Sequence, residues 1–120
     1  MSEFLNCPCC GHPTLSERSI YEICSICWWE DDGQDDADAD AVRGGPNGAY
    51  SLTQARANFA DHFDMYDAGK GITEVANPSP ERRSVLAYLR AVAQGDRAHD
   101  VRVLHGLLRT YMDARSKAML

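Results

Sequence analysis

The sequence predicts an α+β fold, with a small zinc-ribbon-like β subdomain followed by a three-helix, mainly helical C-terminal part. Three observations carry this expectation. All five cysteines fall between residues 7 and 27; residues 31–50 hold six aspartates, four glycines and a proline; and from Ser51 onward the apolar residues recur at helical spacing. The expected division is residues 1–63, a metal-stapled domain with an acidic loop and first helix, and residues 64–120, a linker and helical hairpin packed on it.

The first elements come from HPTLSERSIYEIC. Thr14 to Glu17 and Ile20 to Ile23 read as two short strands joined at Arg18-Ser19, with period-two alternation in the second. Trp28 to Glu30 is a third candidate strand. Asn47-Gly48 marks a tight turn.

Ser51 and Gln54 match a capping box, and Leu52, Ala55, Phe59 and Phe63 follow on one stripe, predicting a helix to about Asp67. A second helix is expected from Pro80, with Ser79 as its cap. Val85, Leu86, Leu89, Val92 and Ala93 form its apolar face. Gly95-Asp96 closes that helix and caps the next, where Val101, Leu104, Leu108, Tyr111 and Met112 repeat the stripe.

Composition sets the class. With 120 residues, 44% of them apolar and 25% charged, the chain suits one domain with a modest core. The N-terminus has no basic region followed by an apolar run, and no window approaches the roughly 20 apolar residues of a membrane span. A soluble cytoplasmic protein is expected, without a membrane partner. In that reducing compartment clustered cysteines serve metal or redox chemistry more often than disulfides, and five thiols cannot all pair.

Cys7 and Cys10 are two residues apart, as are Cys24 and Cys27, and thirteen residues separate the pairs. Each two-residue gap lets a tight knuckle aim both sulfurs at one ion, so the spacing predicts a tetrathiolate site for one structural Zn²⁺. Four sulfurs also suit iron, but zinc is preferred. Cys9 is left over. A competing register would use Cys7 and Cys9; Gly11, directly after Cys10, favours Cys10. His12 is a conceivable substitute ligand. Four thiolates leave no open position for water, so the site is expected to be structural and the chain not an enzyme. Thioredoxin-like redox chemistry would need a βαβ pattern beside one CxxC, and none follows. Nucleophile elbow, P-loop and HExxH signatures are also missing.

These residues carry a resemblance. CPCCG, followed by YEICSICWWEDDGQDDADADAVRGGPNGAYSLTQARANF, resembles the cysteine-rich CPCC domain family of small, mainly bacterial proteins, from Cys7 to about Phe63. The resemblance implies a metal-binding cysteine cluster and no established enzymatic activity. Some members resemble immunity-type proteins of bacterial toxin systems. Trp28-Trp29 departs from the single tryptophan more common at this place.

Charge is uneven. Residues 1–50 contain ten acids against two bases, a net of −8, while residues 51–120 carry +2. A tetrathiolate zinc site would add −2. Such a half repels phosphate backbones and attracts cationic surfaces. The acids Glu30, Asp31, Asp32, Asp35, Asp36, Asp38 and Asp40 are therefore candidate contacts for a basic protein. Asp36, Asp38 and Asp40 copy the opening of a calcium loop, but Ala41 and Asn47 stand where that loop needs glycine and a bidentate glutamate. The run is otherwise either solvated or folded back on Arg43 or Arg56 as an ordered cover.

The expectation is thus a non-catalytic, zinc-stabilised protein-binding module with a basic partner, of the toxin-neutralising immunity type. The alternative is a zinc-ribbon nucleic-acid-binding or regulatory protein using the basic hairpin, which the acidic balance disfavours.

Overall fold

A computed structural model of the protein describes residues 4–118. It is α+β, and it divides after Gly71 into two compact units. The unit ending at Gly71 contains an antiparallel pair, β1 (Leu5–Asn6) and β2 (Pro13–Leu15), with Leu5 opposite Leu15 and Asn6 opposite Pro13. After two short 3-10 turns, Asp36–Asp38 and Gly45–Asn47, comes α1 (Leu52–His62). The unit from Ile72 contains α2 (Thr73–Ala76), α3 (Pro80–Ala93) and α4 (Val101–Ala118). Among the described residues no helix is long and apolar enough to cross a membrane.

The strands differ from those expected. β1 was not foreseen, and β2 begins and ends earlier than Thr14–Glu17. Segments 20–23 and 28–30 meet in a single bridge, Ile23 to Glu30. The reason lies in the backbone: Ser19, Tyr21 and Trp28 have φ of 64°, 64° and 73°, left-handed values that interrupt an extended strand.

Helix ends follow their caps. Ser51 Oγ accepts from the Gln54 N–H at 3.0 Å, and Ser79 Oγ from the Arg82 N–H at 3.1 Å. α1 stops at His62, short of Asp67, because Phe63 turns left-handed and donates its N–H back to the Phe59 carbonyl at 2.9 Å. Gly95, at φ 78°, follows the last turn of α3 as expected. The cap of α4, however, is Asp100 instead of Asp96, with Oδ1 accepting from the Arg102 N–H at 2.9 Å. The one-turn α2 had no counterpart in the expected three helices.

The core of the first unit is Leu15, Ile26, Trp29, Leu52, Ala55 and Met65, all nearly inaccessible. In the second, α3 packs on α4 through Val85, Tyr88, Leu89, Leu104, Leu108 and Tyr111. Met112, placed on that stripe by the sequence, is exposed.

Candidate metal centre

Both cysteine pairs sit in the same local structure. In the first, the Cys7 N–H donates to the His12 carbonyl at 2.9 Å and the Gly11 N–H to the Cys7 carbonyl at 2.8 Å. In the second, the Cys24 N–H donates to the Trp29 carbonyl at 2.9 Å and the Trp28 N–H to the Cys24 carbonyl at 3.0 Å. The residue after each second cysteine is left-handed, Gly11 at 76° and Trp28 at 73°. Glycine adopts this freely, whereas tryptophan does so at a cost of about 1–2 kcal/mol. The first knuckle joins β1 to β2, and the second lies inside the Ile23–Glu30 bridge.

The two knuckles bring the Sγ atoms of Cys7, Cys10, Cys24 and Cys27 within 4.8 Å of one another. Cys7 lies 3.6 Å from Cys27, and Cys10 lies 3.7 Å from Cys24. A tetrahedral ion with sulfurs at roughly 2.3 Å requires sulfur pairs about 3.8 Å apart, so these residues fit such an ion. Backbone amides support the sulfurs: the Cys9 N–H points to Cys7 Sγ and the Ile26 N–H to Cys24 Sγ, both at 3.4 Å. Thr14 Oγ1 donates to Cys24 Sγ at 3.0 Å. Cys9 is buried next to the cluster, and His12 stacks edge-on against Phe59. All five cysteines are free thiols.

The crowded thiols perturb one another's ionisation. Burial opposes ionisation of Cys24, yet hydrogen bonds from Cys10, Cys27, Cys7 and Thr14 outweigh it and hold this thiol well below its ordinary range. Burial, then bonding to Cys24, pushes Cys10 well up. Four crowded thiols oppose one another's ionisation; a divalent cation would favour thiolate at every position.

The acidic loop folds over this unit and is tied down by arginines. Asp31 is wholly inaccessible, and its Oδ2 accepts from Arg18 Nε at 2.7 Å and from the Ser19 N–H at 2.8 Å. Its Oδ1 accepts from the Gly33 N–H at 3.1 Å. Asp35 takes the second arm of Arg18 at 2.8 Å. Asp38 pairs with Arg43, which also donates to the Asp32 carbonyl at 2.7 Å. Asp36 pairs with Arg56 at 2.7 Å, and Arg56 Nε reaches the Pro8 carbonyl of the first knuckle at 2.8 Å. Asp40 accepts from Thr53 Oγ1 at 2.5 Å. Buried Gln34 donates to the carbonyls of Asp38 at 2.7 Å and Ala41 at 2.6 Å. Glu30 is held through its backbone by the Asn47 side chain.

Seven candidate acids are therefore one structured cover, with Asp36 and Asp40 its exposed members. Sequence reasoning named Arg43 and Arg56 as anchors and missed Arg18. The available signal was composition: Arg18 and Arg43 are the two bases among ten acids in the first 50 residues. It also missed Thr14, whose hydroxyl had no recognisable motif.

A pair of matched knuckles that brings four sulfurs, three of them buried and that of Cys10 half-buried, within 4.8 Å of one another defines a cysteine-cluster domain that could hold a metal ion. Residues 5–81 match the family model described as Cysteine-rich CPCC, and the chain belongs to that family. The match extends past Phe63, where the resemblance read from the sequence stopped, into the first turn of α3. No curated protein and no solved structure matches the chain significantly.

Proposed function

We propose that Cys7, Cys10, Cys24 and Cys27 hold one structural zinc ion, and that the chain is a non-catalytic protein-binding module for a basic protein partner. The observation that carries this reading is the pair of sulfur separations, 3.6 and 3.7 Å, at the edge length of a zinc tetrathiolate. When bound, zinc supplies a cross-link between the knuckles and offers substrate no vacant position. The chain's own part is to deliver four sulfurs, brace them with the amides of Cys9 and Ile26 and the Thr14 hydroxyl, and exclude water around Cys24 and Cys27.

Charge supports the choice of partner. Residues 1–71 contain thirteen acids against four bases, a net of −9, before the thiolates are counted. Even with Arg18, Arg43 and Arg56 engaged internally, the surplus steers cationic surfaces inward and phosphate backbones away. In its narrower form the reading is an immunity-type protein that neutralises a basic toxin in the cytoplasm, where five thiols stay reduced.

The test has two parts. Metal analysis of reduced, freshly purified protein should return one zinc per chain. Co-expression with the basic products of adjacent genes should give a complex whose association slows as salt rises. Metal-free protein that keeps its fold overturns the zinc assignment, and salt-sensitive binding to nucleic acid with none to basic proteins overturns the partner.

A further inference from the structure

Ile20, Tyr21 and Ile23 expose 52%, 59% and 53% of their surface within four consecutive residues. Isoleucine is among the residues a fold most often buries, and the alternation of this segment should have put one face inward. Instead the left-handed backbone at Ser19 and Tyr21 breaks the alternation. A side-chain-bearing residue is held in that conformation at a cost of about 1–3 kcal/mol, and such strain concentrates at functional positions.

The segment is not loose. The Tyr21 N–H donates to the Asp31 carbonyl at 2.9 Å, the Asp31 N–H to the Glu22 carbonyl at 3.0 Å, and the Cys24 N–H to the Trp29 carbonyl at 2.9 Å. One end is anchored by Asp31 on Arg18 and Ser19, the other by a sulfur of the metal centre. Three apolar side chains are thus presented on a rigid backbone, which lowers the ordering cost of a contact. Their rim carries Glu17, exposed, and Glu22 and Glu30, half-exposed, while the nearest bases, Arg18 and Arg43, are each paired with aspartates.

We propose that Ile20, Tyr21 and Ile23 form the docking patch for the basic protein partner, whose contact segment combines apolar side chains with flanking lysines or arginines. This deepens, and rests on, the basic-partner reading above. Apolar centre with charged rim is the usual division of labour in an interface, and tyrosine is enriched among its dominant residues.

The zinc-loaded full chain, isotope-labelled, is titrated with two synthetic peptides of equal positive charge, followed by amide NMR. One alternates lysine with leucine and tyrosine; in the other, serine replaces the apolar residues. The apolar peptide should shift the amides of residues 20–24 and bind at least about tenfold tighter, a preference that Tyr21→Ser and, separately, Ile23→Ser should largely remove. Equal binding of both peptides, with shifts confined to the surroundings of Asp36 and Asp40, overturns the patch and leaves the basic-partner reading standing. Salt-sensitive binding of neither peptide overturns both. Concentration-dependent shifts at residues 20–24 without peptide, with a doubled mass in sedimentation, assign the patch to a second copy and overturn the proposal.

Discussion

The side-chain amide of Asn47 stands beside Glu30 as a neighbouring strand would: Nδ2 donates to the Glu30 carbonyl at 2.8 Å, and Oδ1 accepts from the Glu30 N–H at 3.0 Å. Asn47 is buried, so water is poorly placed to replace it. Asn47→Ala should destabilise the unit ending at Gly71 by about 2–4 kcal/mol, since it orphans a donor and an acceptor together. Urea unfolding of the zinc-loaded protein checks this, and a loss below about 1 kcal/mol would mean that solvent substitutes for the amide.

Metal removal should be far more damaging. Structural zinc contributes an apparent 10–16 kcal/mol or so to small domains, so chelation should unfold residues 4–71 outright. Cys24→Ser should abolish zinc binding, because its sulfur takes the Thr14 and Ile26 donors and sits within the four-sulfur set. Cys9→Ser should keep one zinc per chain. Elemental analysis with far-ultraviolet circular dichroism distinguishes the outcomes.

Arg18→Met tests the anchor of the acidic cover. It leaves the inaccessible Asp31 carboxylate without its cation, a change expected to cost about 3 kcal/mol, the low end for a broken buried pair because Arg18 itself is partly solvated. Burial raises the Asp31 pKa, but the bonds from Arg18, Ser19 and Gly33 outweigh it and hold the carboxyl below its usual range. The stability this confers is present above the ordinary carboxylate value of about 3.9 and is lost as pH falls through the depressed one. The gap between wild type and variant should therefore be full near neutrality and close in acid, as denaturant titrations across pH would show.

His62 works in the opposite direction. Its burial lowers the pKa, but the Asp61 hydrogen bond, the Tyr66 carbonyl and the Asp64 charge overcome this and raise it. Both ring nitrogens are engaged, Nδ1 with Asp61 at 3.0 Å and Nε2 with the Tyr66 carbonyl at 2.5 Å, which suits a doubly protonated imidazolium at the end of α1. Its contribution, about 0.5–1 kcal/mol, should be complete below the unperturbed value near 6.5 and fade as pH rises through the raised one. His62→Gln should flatten that alkaline decline in thermal unfolding measured between pH 6 and pH 9, roughly the span over which a shifted histidine titrates.

The convergence of four cysteines and the starts of α1 and α3 were legible in the sequence, and the connections were not. Cysteine pairs at two-residue spacing, Gly11 after Cys10, and the caps Ser51 and Ser79 are local signals, read within four residues of the feature they specify. Tyr21 and Trp28 gave no such warning, since a bulky residue at positive φ is imposed by its surroundings: the knuckle bonds around Trp28, and the Tyr21–Asp31 pairing. The same holds for Arg18, thirteen residues from Asp31, and for Asn47, seventeen from Glu30. Asn47-Gly48 was correctly read as a turn, but its asparagine does more by completing the edge of another segment. The acids could be read either as a solvated run or as a cover folded back on Arg43 or Arg56, because counting charges cannot say which arginine lies across from them.

The matched knuckles differ at one place, with glycine after Cys10 and tryptophan after Cys27. The N-terminal half of the site can thus take its shape from the backbone alone, while the other half needs an indole driven into place by surrounding mass. During synthesis the unstrained half leaves the ribosome first. Its shape would exist before the chain that completes the cluster, so under the zinc reading an ion captured there during synthesis would serve as the template on which the later half is bent.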